Sequence, residues 1–119
     1  MKTTIRTEYH DNGKKREEGS YKDGKKDGLW TSWYLNGKKK TEGSYKDGDR
    51  DGFFTEWHKN GHKREEGNYK NGKEDGIWSY WYESGQIHSE GDYIDGKQVG
   101  KWTLWHENGQ MIQKGKFQG

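Results

Sequence analysis

Polar and apolar residues alternate along most of this chain, in short stretches that stop at glycine. From Leu29 to Gly52 it reads LWTSWYLNGKKKTEGSYKDGDRDG, an aromatic run, an Asn-Gly pair, an alternating stretch and an Asp-Gly pair. Alternation with period two sends successive side chains to opposite faces of a strand. Trp, Tyr and Thr favour extended backbone, and glycine recurs too often for a helical period. The segment therefore predicts two antiparallel strands and no helix.

The same segment returns every 24 residues. Asn12-Gly13, Asn36-Gly37, Asn60-Gly61, Ser84-Gly85 and Asn108-Gly109 mark one turn in five copies. Gly19, Gly43, Gly67, Gly91 and Gly115 mark a second position, and Tyr9, Trp33, Trp57, Trp81 and Trp105 a third. A fixed period of this size denotes stacked units that touch mainly their neighbours. The predicted fold is all-β: an elongated, single-sheet antiparallel β-meander of about ten strands built from hairpin repeats, about 45 Å long at ~4.8 Å per strand. The whole of 1–119 reads as one repeat domain. It has an N-terminal strand over 1–8, repeats at about 9–32, 33–56, 57–80 and 81–104, and a partial repeat over 105–119.

Asn-Gly between extended stretches is the sequence of a two-residue type I′ turn. With that loop at 36–37, Leu35 falls opposite Lys38, Trp33 opposite Lys40 and Trp30 opposite Gly43. Equivalent pairs are Phe54 with Gly67, Trp78 with Gly91 and Trp102 with Gly115. A ring lying over the bare backbone of its glycine shields a weak point of the strand, so these eight residues are assigned to structure. Asp23-Gly24, Asp47-Gly48, Asn71-Gly72 and Asp95-Gly96 form the other connection. Gly28, Gly52, Gly76 and Gly100 follow four residues later, and the connection reads as a longer loop or a bulged hairpin. Trp30, Tyr34, Gly43 and Tyr45 share one face, while Leu29, Thr31, Trp33 and Leu35 lie on the other with Lys40, Glu42 and Ser44.

Composition changes the picture in one respect. Only 24% of residues are hydrophobic, against 35% charged, which on its own is the mark of disorder. A net charge of +2 and aromatics (7 Trp, 8 Tyr, 3 Phe) at fixed positions argue instead for ordered repeats with little interior. Charges of both signs mix within each repeat, which disfavours nucleic acid as a partner, since that needs a one-signed basic stripe. Cysteine is absent, so thiolate chemistry and disulfides are excluded. No signal peptide or membrane-spanning stretch is seen, and the expected location is the cytoplasm.

Candidate chemistry is sparse. His10, His58 and His106 share a repeat position with Tyr34 and Tyr82. Successive histidines of that row are four strands apart, about 19 Å, too far to share a metal. The row reads as polar-tipped rings on the sheet. Carboxylates recur at equivalent positions, Glu18, Glu42, Glu66 and Glu90 among them. Catalysis needs two groups in different environments, and repetition predicts like environments. No catalytic residue, metal site or cofactor is expected, and the chain reads as non-enzymatic. The candidate binding residues are Trp33, Trp57, Trp81 and Trp105 with Tyr34, His58, Tyr82 and His106. Two readings stand for the Trp row: open rings that mark a binding surface, or a ladder covered by lysine and glutamate stems.

The stretch Glu42-Gly43-Ser44-Tyr45-Lys46-Asp47-Gly48 through Asp51-Gly52 resembles the MORN repeat, and it recurs at 18–28, 66–76 and 90–100. It is most similar to the bacterial variant, whose repeat continues with Trp, Tyr and Asn-Gly. The usual Gly-x-Gly of the motif is Gly28-Leu29-Trp30 here. The resemblance implies an elongated antiparallel sheet, a scaffold or binding role and no catalytic residues. It implies a protein partner, with antitoxin or immunity-type inhibition of a toxin as the specific form. The alternatives are a phosphoinositide or membrane-surface module acting through the Lys-rich turns, and an aromatic cage for a choline-like or carbohydrate ligand. End-to-end self-association is a further expectation. Choline-binding cell-wall repeats share Gly-Trp, paired aromatics and Asn-Gly turns, with a shorter period.

Overall fold

The computed structural model describes residues 2–117, so Met1 and the last two positions of the partial repeat lie outside it. Its strands are β1 (Thr3–Tyr9), β2 (Lys15–Lys22), β3 (Lys25–Lys26), β4 (Gly28–Trp33), β5 (Lys39–Lys46), β6 (Asp49–Trp57), β7 (Lys63–Lys70), β8 (Lys73–Trp81), β9 (Ile87–Ile94), β10 (Lys97–Trp105) and β11 (Met111–Phe117). They pair antiparallel in chain order within one sheet, with β3 and β4 together filling a single place beside β2. The result is the expected ten-place meander, with no helix among the described residues. Its extents are 47 × 32 × 14 Å, a thin slab whose long dimension matches the strand count.

The Asp-Gly connection takes the bulged-hairpin form of the two expected, while the Asn-Gly turn is not the tight loop predicted. At Asp23, Asp47, Asn71 and Asp95 φ is 49–51°, and the following glycines lie at 80–90°. Positive φ at both central residues defines type I′, and Lys46 pairs directly with Asp49 across the loop. The Asp-Gly connection is thus the tight hairpin, and the irregularity falls after it, as a bulge at Gly52 between the Tyr45–Arg50 and Gly43–Phe54 pairs. At Asn36-Gly37 only the glycine has positive φ. Gly37 N donates to Tyr34 O, and Tyr34 N to Lys38 O, which makes a longer loop. The register shifts there, so Trp33 pairs with Lys39, not Lys40, and Leu35 sits in the loop instead of opposite Lys38.

Asn36 serves another purpose. Its Oδ1 accepts from Lys38 N at 2.9 Å, and its Nδ2 donates to Lys59 O in the next repeat, also at 2.9 Å. Asn12 and Asn60 repeat both bonds.

The aromatic–glycine pairs stand in the predicted register: Trp30–Gly43, Phe54–Gly67, Trp78–Gly91 and Trp102–Gly115. Each ring nevertheless leans the other way, onto the glycine of the preceding strand. A Cβ at Gly19 would lie 2.1 Å from Trp30, and one at Gly67 would lie 2.2 Å from Trp78. Gly91 stands in the same relation to Trp102, and Gly43 to Phe54. Polarity explains the direction, because the Trp30, Trp78 and Trp102 indole N–H groups donate to Ser20 O, Asn68 O and Asp92 O. Tyr21, Tyr69 and Tyr93 meet the indoles edge-on, with centroids 5.0–5.3 Å away. Trp30, Phe54, Trp78 and Trp102 are the buried hydrophobic core, each contributing on the order of 3 kcal/mol.

Candidate functional site

One sheet carries two chemically different faces. On the ladder face, Trp33, Trp57 and Trp81 are half-buried. Lys15, Lys39 and Lys63 hold their ammonium groups 5.8–5.9 Å from the ring centroids. The same lysines pair with Glu18, Glu42 and Glu66 at 2.8–3.1 Å, and these glutamates accept from Thr7, Thr31 and Thr55. The Trp–Lys–Glu–Thr unit is thus made three times. At Trp105 the lysine position is Ile87, so the ladder stops.

The His/Tyr row lies on the other face, beside the Asn-Gly loops. Tyr34 Oη donates to Trp57 O at 2.6 Å, and Tyr82 Oη to Trp105 O at 2.7 Å. His10 and His58 place Nε2 2.9 Å from Trp33 O and Trp81 O, which fixes the Nε2–H tautomer. Histidine and tyrosine alternate because both carry a donor to the same carbonyl, one repeat on. These contacts bind repeat to repeat. Among the described residues no cluster of three or more His, Asp or Glu could hold a metal ion.

Between this row and the Trp core, the ring face forms a groove with two depressions of about 780 and 560 Å³. His10, Arg16, Ser32, Lys40, Thr41 and Phe54 line the first; His58, Arg64, Tyr80, His88, Ser89 and Trp102 line the second. Each residue of the second set stands 48 residues after its counterpart. The depressions are one site built twice. Their floors are the cross-strand pairs Ser32–Thr41, hydrogen-bonded to each other, and Tyr80–Ser89. The rims are basic: Arg16, Lys40, Arg50 and Lys59 outnumber Glu17 and Glu56 in the first, and no carboxylate lines the second.

Between the depressions Glu56 stands directly opposite Glu65. Burial, then the hydrogen bond and charge of Glu56, push the Glu65 carboxyl up to about 7, against the pull of Arg64 and Arg50. The equivalent pair Glu8–Glu17 is better compensated, by Arg16 at 2.7 Å, Arg6 and Lys26. Hydrogen bonding from Arg16 holds Glu8 low. Equivalent carboxylates therefore do not share one environment, contrary to the expectation from repetition. Burial and its bond to Tyr93 also raise the Tyr80 phenol.

The family model described as MORN repeat variant matches residues 2–23, 26–47, 50–71, 74–95 and 98–118. The chain belongs to that family. The first four matched MORN repeats end at the Asp-Gly hairpins or the equivalent Asn71-Gly72, so the family unit is one Asn-Gly-type loop flanked by two strands. No curated protein matches the chain. No helix among the described residues is long and apolar enough to cross a membrane.

The structure puts the eight candidate binding residues in two places. Trp33, Trp57, Trp81 and Trp105 are on the ladder face, with Trp33 and Trp81 also bordering the two depressions; Tyr34 and His58 border the groove, with Tyr82 and His106 farther along the same row. Sequence reasoning misses the groove residues Arg16, Arg64 and His88 and puts Lys40 on the Trp face, from which the register shift beside Trp33 turns it to the groove. Their signal was the alternation Arg, Lys, Arg, His at one repeat position, which gains meaning only once the register sets it beside the Ser32 and Tyr80 floors.

Proposed function

We propose that this MORN-repeat chain is a non-enzymatic scaffold that binds a partner protein along the ring-face groove. The observation that carries the reading is the duplicated depression, lined from equivalent positions 48 residues apart and keeping His10/His58 and Arg16/Arg64 in common. Two sites at equivalent repeat positions about 19 Å apart suit an extended segment that touches both. The basic rims and aromatic walls suit a segment bearing acidic and apolar side chains. A toxin inhibited in an immunity-type complex is the narrower form of this partner.

The other ligand classes find less support. Lysines at the Asp-Gly turns are interleaved with Asp23, Asp47, Asp49 and Asp95, so that edge lacks the one-signed field an anionic membrane selects. The ladder tryptophans already face the chain's own ammonium groups, the place a choline-like cation would take.

Affinity capture from the native host, read by mass spectrometry, tests the reading. The wild-type chain should enrich a protein that Lys40→Glu with Arg64→Glu loses, with the β-sheet circular dichroism unchanged. Retention by that variant, with loss on Trp57→Ala, would move the site to the ladder face.

A further inference from the structure

The two depressions of the groove use equivalent positions but differ in charge. In the first, Arg16 is taken by Glu8 at 2.7 Å. Both lining carboxylates are taken as well, Glu17 by Lys26 and Glu56 by Arg64, each at 3.6 Å. Lys40, Arg50 and Lys59 have no carboxylate partner among the described residues. The Lys40 ammonium stands 5.7 Å from the Tyr34 ring centroid, and the Arg50 guanidinium donates to the Tyr45 and Tyr69 hydroxyls at 3.3 and 3.1 Å. Neither contact cancels a charge, so the first depression keeps these cations uncompensated and open to an anion.

The second depression has exchanged that charge for rings. Where the first has Ser32, Lys40, Arg50 and Glu56, the second has Tyr80, His88, Gln98 and Leu104. Its ionisable groups are engaged: Arg64 with Glu56, His58 with Trp81 O, and His88 with Ser89 Oγ. Tyr80 stacks on Trp102 with centroids 6.3 Å apart, Tyr93 meets the same indole edge-on at 5.3 Å, and Leu104 lines the same hollow. A hollow walled in this way favours a large apolar side chain.

We infer that the partner segment, on the groove reading proposed above, is recognised at two unlike points. A carboxylate side chain sits among Lys40, Arg50 and Lys59, and an aromatic or large aliphatic side chain sits against Tyr80, Tyr93 and Leu104. The two points are about 19 Å apart, which an extended chain at ~3.3 Å per residue covers in about six residues. An even separation sends both side chains to the same side of the segment. Between the points the segment crosses the Glu56–Glu65 pair, which repels a further carboxylate. The occupant is thus an extended stretch of protein with an acidic and a bulky apolar residue about six positions apart and no acid between them.

Fluorescein-labelled peptides titrated with the full chain and followed by anisotropy decide the matter. One peptide carries a glutamate and a phenylalanine with five neutral polar residues between them, and a second carries the two in reverse order. Controls replace the glutamate by glutamine, replace the phenylalanine by alanine, or shorten the spacing to two residues. One of the two orders should bind, and each of its controls should bind about fivefold or more weakly. On Lys40→Gln with Lys59→Gln the glutamine control should no longer differ from its parent, and on Leu104→Glu the alanine control should no longer differ. The fold already carries a glutamate at the equivalent Glu56, so Leu104→Glu should keep the circular dichroism of the wild type. Binding indifferent to the acid, the ring or the spacing overturns the two-point inference, as does a failure of both orders to bind. A host protein captured through Lys40 and Arg64 would in that case preserve the groove reading and remove only the two-point recognition.

Discussion

Glu65 is the residue at which this repetitive chain becomes locally unusual. Its carboxyl is raised to about 7 in the fold, against 4.5 for an ordinary glutamate. The folded state therefore binds more protons than the unfolded state between those values. Its contribution to stability is fully present below about pH 4.5 and is lost as pH rises through about 7. With the group partly open to solvent, the loss is about 1–2 kcal/mol. Glu8 and Glu18, held low by bonds from Arg16 and Thr7, act in the opposite sense: their stabilisation is present above about 4.5 and is lost on acidification. Glu65→Gln should remove the decline between pH 4.5 and 7 and leave the acid limb in place. Urea unfolding across pH 4–8 checks it, and parallel curves for the two proteins would refute the assignment.

At the scale of elements, the two turns are nearly the same in sequence and opposite in conformation. Asp47 has positive φ and makes no long-range side-chain bond among the described residues, so Asp47→Gly should leave stability within about 0.5 kcal/mol. Asn36 has ordinary φ but bridges Lys38 N and Lys59 O, so Asn36→Gly should cost about 1–2 kcal/mol. Denaturant midpoints that rank the other way would undo this account.

The same comparison shows what could be read in advance. Period, strand number and the pairing of Trp30 with Gly43 were legible, because side-chain alternation and repeat arithmetic determine them without knowledge of the loops. The turn types were not. Asn-Gly and Asp-Gly both satisfy the type I′ pattern, and what separates them is a bond from Asn36 to a carbonyl 23 residues away. At the candidate site, the Trp and His/Tyr rows were visible as repeated positions. The groove and the Glu56–Glu65 contact depend on cross-strand register and so stayed hidden.

The whole molecule is built on a double repeat. Along one line of the ring face the cross-strand pairs run Glu8–Glu17, Ser32–Thr41, Glu56–Glu65 and Tyr80–Ser89, so charged floors alternate with neutral ones. Excising one repeat, residues 26–49, would set Glu17 beside Glu56 and place four carboxylates side by side. Excising two, residues 26–73, would keep a neutral pair next to Glu17. The shorter excision should be the less stable protein above pH 7 and recover near pH 5, whereas the longer one should show no such recovery. Thermal melts at the two pH values compare them directly.

The side-chain donors on the Asn-Gly edge all reach forward along the chain. His10, Asn12, Tyr34, Asn36, His58, Asn60 and Tyr82 each bond a carbonyl 23 residues later. A ribosome releases the donor first and the acceptor about one repeat afterwards. During synthesis, each emerging hairpin therefore waits for its successor before it locks, and order advances down the nascent chain one repeat behind the exit tunnel.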